Sequence, residues 1–316
     1  MDNRSGLVRD GEKTGDALRF ISSDDHRKAL ASSVDIPEQL PSFALPLTAV
    51  GISNKTVWVH LPQGRLPFNA ELQVNLPADV RGIHMSRMEE VISELLEIRF
   101  TSLNDYAREL GRRMLARQQG CQGKVKLSGK LPFIRETPVS KHMSIDSVDI
   151  ESRAVFEKGD AEILTSIMAG AGVCHITACP CTQAYNQEIY PPQECPLPTH
   201  SQRSYTQLSI EMDNARPGID EIIACLEGAL HVTQDLLKRP DEAEIVMKAH
   251  QYPQFAEDAV RETARAAGRR FAGRLPESTK IHIQSLSLES IHIHDVQCRL
   301  ETTLGDISKL LQPGRS

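Results

Sequence analysis

The sequence predicts an α+β fold in which helices cover one face of an antiparallel sheet. Segments that alternate between apolar and polar residues occur in pairs along the chain, and segments with apolar residues at helical spacing occur in pairs between them. The order strand, strand, helix, helix, strand, strand is found once in each half of the chain. Paired strands on either side of paired helices are typical of an antiparallel sheet that is covered on one face.

The first half contains the more regular patterns. Its predicted strand segments are residues 43–61, 67–77, 124–134 and 144–157. A turn at residues 53–55 is expected to divide the first of these segments into two strands. Helices are predicted at residues 81–100, where Ser86 has the spacing of an N-cap, and at residues 102–120.

The second half repeats this order with one long interruption. Its predicted strand segments are residues 161–178, 204–213, 279–289 and 290–301. Helices are predicted at residues 218–240, which Pro240 is expected to end, and at residues 253–273. Residues 182–200 are rich in proline and are predicted to form an irregular loop, and loops of that length are often functional.

These halves define the predicted organisation of the chain. Residues 1–24 are polar and aperiodic, and we expect them to form a mobile tail. Residues 25–158 are expected to form a first structural unit. Residues 159–316 are expected to form a second unit, which carries most of the candidate site residues.

The composition argues against several classes of protein. A net charge of −6 makes a general nucleic-acid-binding surface an unfavourable interpretation. The N-terminal residues lack the apolar core of a secretory signal, and no apolar run is long enough for a transmembrane helix, so no membrane association is expected. The seven cysteines are an odd number without the spacing of a disulfide framework, which favours a reducing cytoplasm.

The most unusual local sequence is Cys179-Pro180-Cys181. The proline removes a backbone donor, which favours a strand end or a loop whose side chains reach a cleft. Thiolates bind soft or borderline metal ions and act as nucleophiles or acids. Two ordinary core thiols are an equally good interpretation of this motif taken alone.

Histidine and arginine side chains follow at two places. His200 and Arg203 suggest an imidazole for proton transfer beside a guanidinium that binds phosphate, with a solvated polar loop as the alternative. His292 and His294 would share one face of a predicted strand and could both point into a site. For this pair alone, a polar strand face is the simpler interpretation.

Two carboxylates occupy positions where chemistry is conceivable. Glu242 follows Pro240 and could simply interact with the N-terminus of a helix. Glu257 lies between apolar residues of a predicted helix and could accept hydrogen bonds from the N–H edge of a purine, although a surface glutamate is the more ordinary interpretation. Glycine-rich phosphate-binding motifs are absent from the sequence, so a triphosphate would need arginine and lysine side chains.

Six short blocks, each weak alone, occur in an order that resembles the type IB GTP cyclohydrolase I family. This family includes the bacterial folate enzyme and the archaeal-type enzyme of methanopterin synthesis, and the resemblance covers residues 25–305. The blocks are RGIHMSR (81–87), ACPC (178–181), HSQRS (200–204), RPDE (239–242), FAEDAVR (255–261) and ESIHIH (289–294).

The resemblance implies a tunnelling fold, in which two ββααββ modules are fused in one chain. It also implies a homotetramer with active sites at subunit interfaces and one divalent metal ion per site, which could be Fe²⁺, Mn²⁺ or Zn²⁺. The implied reaction is hydrolysis of GTP at C8 of the guanine, with loss of formate, to give 7,8-dihydroneopterin triphosphate for folate and pterin synthesis.

The resemblance also implies roles for individual residues. Cys179, Glu242 and His292 would be metal ligands, although either His292 or His294 could contact the metal. Cys181 and His200 would take part in proton transfer, and His200 could also ligate the metal. The residues implied or proposed to bind substrate are Glu257 for the guanine edge and His84, Arg87, Arg203 and His294 for the rest of the nucleotide.

Three alternative functions remain open at this level. The archaeal-type relatives form 7,8-dihydroneopterin 2′,3′-cyclic phosphate, and the chain length and the sequence around ACPC favour that product. A non-catalytic module would bind metal or purine without turnover. A related tunnelling-fold enzyme would act on a pterin or a deazapurine and ignore GTP.

Overall fold

A computed structural model of the chain describes residues 21–160, 163–192, 194–212 and 217–311. The strands are β1 (Leu47–Leu61), β2 (Gly64–Leu76), β3 (Gln122–Glu136), β4 (Met143–Lys158), β5 (Ile163–Ala178), β6 (Ser201–Glu211), β7 (His231–Val232), β8 (Lys280–Ser287) and β9 (Val296–Thr303). The helices are α1 (Ser23–Ser32), α2 (Met85–Glu94), α3 (Leu103–Ala116), α4 (Pro180–Ile189), α5 (Ile219–Ala229), α6 (Arg239–Gln251), α7 (Ala256–Phe271) and α8 (Leu304–Leu311). A short 3-10 turn covers Ile36–Glu38.

All nine described strands belong to one antiparallel sheet. Eight of them follow the order β1-β2-β3-β4-β5-β6-β8-β9, and the short strand β7 pairs with β5. Helices α2 and α3 lie between β2 and β3 along the chain, and α5, α6 and α7 lie between β6 and β8. The predicted α+β class and the antiparallel pairing are therefore confirmed.

Helices pack on one face of this sheet because its strands alternate in burial. In β4, Val148, Ile150, Ser152, Ala154 and Phe156 are buried, while the residues that alternate with them are more exposed. Phe156 packs so closely on α3 that a Cβ on Gly111 would lie 2.0 Å from its ring. One hydrophobic core runs beneath both halves of the sheet.

The second half of the core is built in the same way. Ile222 and Leu226 of α5 and Ala267 and Phe271 of α7 are buried and belong to the same hydrophobic cluster as the strands beneath them. Leu208 of β6 is fully buried in this cluster. The helices therefore shield the face of the sheet from which the core side chains project.

The sheet has two ends, which we name after residues discussed below. At the Cys179 end, β5 finishes at Ala178 opposite the start of β6 at Ser201. At the His84 end, β2 finishes at Leu76 opposite Leu47, and α2 begins close by in sequence. The 16 residues of β5 correspond to a length of about 50 Å along the strand, so the two ends are far apart.

Several predicted boundaries are wrong for identifiable reasons. Residues 47–61 form one strand, and the expected turn is a register irregularity with Asn54 at a φ of 54°. The helix predicted at 218–240 ends at Ala229, and Pro240 lies in the first turn of α6 rather than at the end of α5. Proline is accepted in a first helical turn because the N–H it lacks would be unpaired there.

Three further boundaries also differ from the prediction. The first eight of the nineteen residues in the predicted loop at 182–200 belong to α4, which ends at Ile189. Residues 290–295 are not part of a strand, since β9 begins at Val296. Helix α2 begins at Met85, so its N-cap is His84 rather than Ser86.

The predicted domain organisation stays a proposal. The first half has the order β1, β2, α2, α3, β3, β4, but the second half adds α4 between β5 and β6 and α6 between α5 and α7. Residues 1–20 of the expected tail lie outside the described residues, and α1 buries none of its side chains. Among the described residues, no helix is long and apolar enough to cross a membrane.

Candidate functional site

Cys179 and His200 are neighbours at the end of the β5–β6 strand pair. The backbone N–H of Cys179 donates to the carbonyl oxygen of His200 at 3.0 Å, one residue beyond the Ala178–Ser201 pair. Directly opposite residues of an antiparallel pair have Cβ atoms about 5 Å apart on the same face. The strand pairing therefore brings together a thiol and an imidazole that are distant in sequence.

Helix α4 begins immediately after this pair. Cys179 is its N-cap and Pro180 its first residue. Cys-Pro-Cys therefore lies at the end of a strand, which is one of the two predicted alternatives, but it continues into a helix rather than a loop. The Cys179 thiol is partly buried and accepts a hydrogen bond from the Thr182 hydroxyl at 3.7 Å. Cys181 lies in the first turn with an exposed thiol.

The segment that leads to His200 is held by side chains of two helices. Gln183 donates to the carbonyl oxygens of Leu197 at 3.2 Å and His250 at 2.6 Å. The Thr199 hydroxyl donates to the Cys179 carbonyl oxygen at 2.7 Å. These contacts fix the approach to the site although the segment has no regular secondary structure.

Three imidazoles meet at the Cys179 end. The rings of His200 and His292 have centroids 6.4 Å apart in an edge-to-face arrangement, and His292 stacks on His294 at 5.3 Å. Both members of the second pair are exposed and lie in the loop between β8 and β9. Sequence reasoning predicted the proximity of these two histidines but gave the wrong cause, because a loop and not a strand presents them.

A group of polar residues beneath His200 was missed by the sequence analysis. His200 Nδ1 lies 3.2 Å from Gln202 Oε1, and Gln202 Nε2 donates to Glu289 Oε1 at 3.1 Å and to Ser287 Oγ at 3.3 Å. Gln202 lies two residues from His200, the spacing at which strand side chains share a face. That spacing was available in the sequence, whereas the contact with Glu289 was not.

Helix α6 carries Glu242 across the Cys179 end of the sheet. Near its end, His250 Nε2 lies 3.3 Å from the Thr199 carbonyl oxygen. At its start, the buried carboxylate of Asp241 accepts hydrogen bonds from the backbone N–H groups of Val139 and Ser140, each at 2.9 Å. Glu242 follows in the first turn with an exposed side chain, and its predicted proximity to Cys179 is not seen as a contact in the described residues.

Hydrogen bonding keeps Asp241 ionised. Burial alone would raise the pKa of its carboxyl group, but the hydrogen bonds from Ser140, Lys238 and Val139 outweigh burial and hold that pKa far below its usual range. The ionised carboxylate thereby ties the start of α6 to the hairpin between β3 and β4, which fixes the helix that carries Glu242.

The two remaining residues at this end are on separate elements. Glu257 is exposed in the first turn of α7, and its negative charge, after burial, contributes to raising the pKa of the Cys298 thiol on β9. Arg203 is exposed on β6, and its carbonyl oxygen accepts from the N–H of Leu288 at 3.0 Å. Neither side chain contacts the histidines in the described structure.

His84 and Arg87 lie at the opposite end of the sheet. His84 is the N-cap residue of α2, and its backbone N–H and carbonyl oxygen both bond to the side chain of Gln118, four residues before β3. The two side chains face acidic groups, with His84 Nε2 at 3.4 Å and Arg87 at 3.6 Å from Glu38 Oε1. One chain therefore does not bring them to the cysteine and histidine cluster.

Metal-ligating side chains are assembled to different degrees at the two ends. Among the described residues, a group of three with ligand atoms within 4.8 Å of one another occurs once, at Asp35, Glu38 and His84. The two carboxylates lie near different nitrogens of the His84 ring. Asp35 Oδ1 is 3.9 Å from Nδ1, and Glu38 Oε1 is 3.4 Å from Nε2. Two carboxylates and an imidazole are donors that suit a divalent cation.

The predicted ligand set fits a divalent ion by its chemistry. Cys179 and His292 share the Cys179 end of the sheet with His200, and Glu242 starts the helix that crosses it. Sulfur, imidazole and carboxylate donors together suit Zn²⁺, Fe²⁺ or Mn²⁺. All seven cysteines are described and carry free thiols.

The fold resembles that of a solved tunnelling-fold protein. A uricase from Bacillus fastidious superimposes with a TM-score of 0.51 and 9% sequence identity, covering 83% of this chain and 95% of that one. At this identity the likeness concerns the fold alone. It agrees with the tunnelling fold that the sequence resemblance implies.

Comparison of sequences identifies the protein family more specifically than comparison of folds does. A GTP cyclohydrolase MptA 2 of Methanocella arvoryzae is 33% identical over 301 residues, which are 86% of this chain and 97% of that protein. A GTP cyclohydrolase MptA of Methanocaldococcus jannaschii is 30% identical over 305 residues, which are 88% of this chain and 97% of that protein. The family described as type I GTP cyclohydrolase folE2 matches residues 34–298. Since this match spans all six sequence blocks and most of the chain, the protein belongs to the type I GTP cyclohydrolase folE2 family.

Proposed function

We propose that the protein is a metal-dependent GTP cyclohydrolase of the archaeal type. It would hydrolyse GTP at C8 of the guanine, release formate and diphosphate, and form 7,8-dihydroneopterin 2′,3′-cyclic phosphate. The observation that carries this proposal is the pairing of Cys179 with His200 at the end of β5 and β6, beside the imidazole of His292. Family membership supplies the substrate class, since the match covers residues 34–298.

The residues at the Cys179 end would divide the chemistry between them. Cys179, Glu242 and His292 would hold the divalent ion, which when bound lowers the pKa of water and supplies a nucleophile near neutral pH. His200 and Cys181 would transfer protons to and from the opening imidazole ring. Glu257 would accept hydrogen bonds from the guanine N–H groups.

A second copy of the chain would complete this site. His84 and Arg87 lie at the opposite end of the sheet from Cys179, so one chain cannot present both groups to one nucleotide. In a homotetramer, the His84 end of one chain could meet the Cys179 end of another. Arg87 and Arg203 would then face the phosphates, and His84 and His294 the ribose.

The identity of the product separates the main proposal from its nearest alternative. The sequence is first interpreted as that of a folate-type enzyme, whose product is 7,8-dihydroneopterin triphosphate. The relatives in Methanocella and Methanocaldococcus are both named MptA, and their similarity extends over 86% and 88% of this chain. This similarity supports the cyclic phosphate more than the triphosphate.

Two assays test the proposal. Metal-stripped protein would be supplied with Mn²⁺, Zn²⁺ or anaerobic Fe²⁺ and assayed for formate from GTP, with Cys179→Ala as the inactive control. Mass spectrometry of the product would then distinguish the cyclic phosphate from the intact triphosphate. GTP binding without formate release under every metal condition would instead favour a non-catalytic module.

A cytoplasmic location follows as part of the same proposal. An enzyme that depends on thiol ligands requires reduced cysteines, and the free thiols at Cys179 and Cys181 meet that requirement. The expected partners are GTP and further copies of the chain, with no nucleic acid and no membrane.

A further inference from the structure

His200 stands at the outer end of a chain of hydrogen bonds that leads into the core. Its Nδ1 lies 3.2 Å from Gln202 Oε1, and the amide nitrogen of Gln202 lies 3.1 Å from Glu289 Oε1. Ser287 Oγ donates to the same carboxylate oxygen at 3.0 Å. Apart from His200 itself, none of the residues in this chain has been assigned above to metal or substrate.

The carboxylate of Glu289 determines the direction of every bond in this chain. An ionised carboxylate only accepts hydrogen bonds, so the NH₂ group of Gln202 must face Glu289 and its Oε1 must face His200. An amide oxygen also only accepts, so His200 Nδ1 must carry the proton. The neutral imidazole is therefore the tautomer whose Nε2 holds a lone pair.

Buried hydroxyl groups hold this arrangement in place. Ser287 is 1% exposed and lies 3.3 Å from the hydroxyl of Thr177, which lies 2.7 Å from Ser204. Three neighbouring strands, β5, β6 and β8, contribute these groups, so the partly buried Gln202 contacts a side chain that is itself held within the sheet. Glu289, which is partly buried and lies just beyond the end of β8, is the last member of this group of polar residues.

We propose that Glu289 is a positioning residue that acts through Gln202 to hold His200 as the tautomer with a free Nε2. The inference rests on the proposed function, since it assigns Glu289 a part in the work of His200. Either role considered for His200, metal ligation or proton acceptance, requires a nitrogen lone pair directed away from Gln202. Without Glu289, the Gln202 amide can rotate and present its NH₂ group, which favours the other tautomer.

The principal test compares Glu289→Gln with a matched control at Ser285, on the strand β8 that precedes Glu289. Ser285→Ala removes a buried hydroxyl that bonds to Thr206 at 2.8 Å and does not contact Gln202. Loss of an outer hydrogen-bonding partner typically lowers metal affinity or activity by about 10- to 100-fold. We expect Glu289→Gln to lower kcat for formate release by that factor with little change in KM, and Ser285→Ala to leave both within about twofold.

A double-mutant cycle shows whether the effect passes through His200. If Glu289 acts through the imidazole, adding Glu289→Gln to His200→Ala will cause no further loss of activity. Gln202→Leu should reproduce the effect of Glu289→Gln. Agreement between the two variants would show that the loss of activity is not caused by misfolding of one of them. Equal fold-losses from Glu289→Gln in the presence and absence of His200 would overturn the proposal.

A spectroscopic measurement separates this proposal from the proposed function. In the metal-free, full-length protein with ¹⁵N-labelled histidine, the His200 signal is assigned by its loss in His200→Ala. We expect a protonated Nδ1 in the wild type and a shift toward protonated Nε2 in Glu289→Gln, with Ser285→Ala unchanged. Absence of GTP turnover would defeat the proposed function alone, whereas an unchanged His200 tautomer in Glu289→Gln would defeat the positioning role.

Discussion

The backbone N–H of Cys179 donates to the carbonyl oxygen of His200 at 3.0 Å, one residue beyond the last regular pair of β5 and β6. The two residues are separated in sequence by α4 and the segment that follows it, yet strand pairing makes them direct neighbours. The sheet therefore supplies the alignment of thiol and imidazole, and α4 leaves the sheet without disturbing it. The first prediction concerns this pair.

Replacing Cys179 by alanine removes the thiol that the strand pairing places opposite His200. We expect loss of tightly bound metal and a decrease in formate release of more than about 100-fold, beyond the range seen for outer partners of metal ligands. Metal content by mass spectrometry and a formate assay check this. Cys121→Ala, which changes an exposed thiol at the His84 end of the sheet, should keep both properties. Retained metal in Cys179→Ala would contradict the assigned ligand.

The second prediction concerns Asp241, which anchors the start of α6. Asp241→Asn weakens the hydrogen bonds to Val139 and Ser140 and loosens the helix that carries Glu242. We expect lower stability and about 10- to 100-fold weaker metal binding, measured by urea unfolding and chelator competition. Glu244→Gln, an exposed change on the same helix, serves as the control.

The contribution of Asp241 to the stability of the folded protein decreases as the pH falls. Because the pKa of Asp241 is lower in the folded protein than its ordinary value of 3.8, its contribution to stability is full above that value. The contribution is lost as the pH falls below it. The stability difference between wild type and Asp241→Asn should therefore be constant near neutral pH and shrink in acid. A difference that grows on acidification would be inconsistent with an ionised Asp241.

The third prediction concerns His175, which is fully buried on β5. Burial, opposed in part by a backbone hydrogen bond, lowers the pKa of His175 to about 4 from an ordinary value of 6.5. The unfolded chain therefore takes up a proton at a higher pH than the folded protein does. Stability should rise with pH between about 4 and 6.5, by up to roughly 3 kcal/mol from this group.

Unfolding of His175→Gln tests this expectation. Glutamine retains a polar group near the hydroxyl of Thr206, which lies 2.8 Å from Nε2 of the imidazole, but it does not titrate. The free energy of unfolding of the variant should be lower at pH 7 and should vary less between pH 4 and 6.5 than that of the wild type. Equal pH dependence of the two proteins would show that His175 does not control acid stability.

The fourth prediction concerns Glu38, whose carboxylate faces both His84 and Arg87. Glu38→Gln removes a negative charge 3.6 Å from the Arg87 guanidinium and frees both groups for an anionic substrate. Because these side chains are partly exposed, we expect KM for GTP to fall only about two- to fivefold, with kcat unchanged. Glu97→Gln, which removes an exposed partner of Arg65, is the control. A higher KM in Glu38→Gln would mean that the carboxylate aids binding.

Much of the fold could be predicted from the sequence because its signals are local. Alternating burial in β4 follows directly from alternating residues, and α3 begins at Leu103 after its N-cap Ser102, whose hydroxyl accepts from the Asp105 N–H. The role of Pro240 was misinterpreted because proline both ends helices and begins them. The helix that starts at Pro180 was not predicted because a proline after a strand also fits a loop. Only the surrounding packing, such as the contacts of Gln183 and Asp241, decides between these roles.

The candidate site could be predicted only in part because its assembly is not local. The sequence blocks identified Cys179, His200 and His292, and the strand pairing and ring contacts place these three at one end of the sheet. Block order contains no information on which end of a strand a residue occupies. The position of His84 at the other end of the sheet could therefore not be predicted from the sequence.

The last prediction follows from that separation and tests whether two chains share each site. Cys179→Ala damages only the Cys179 end, and Arg87→Ala damages only the His84 end, so each variant alone should be nearly inactive. If one site uses opposite ends of two chains, equal mixing and reassembly should produce some sites with both ends intact. Each site needs an intact Cys179 end from one chain and an intact His84 end from another, and in an equal mixture half of the chains carry each intact end. Random assembly therefore makes about one quarter of the sites intact.

Formate release after mixing, unfolding and refolding of the two variants measures this directly. Recovery of about one quarter of the wild-type activity would show that the two ends act together across an interface. The double variant Cys179→Ala/Arg87→Ala, mixed with either single variant, provides the control, since no site in those mixtures can have both ends intact. No recovery in mixtures whose size matches the wild-type assembly would place Arg87 and Cys179 in the same chain's site, or remove Arg87 from the site.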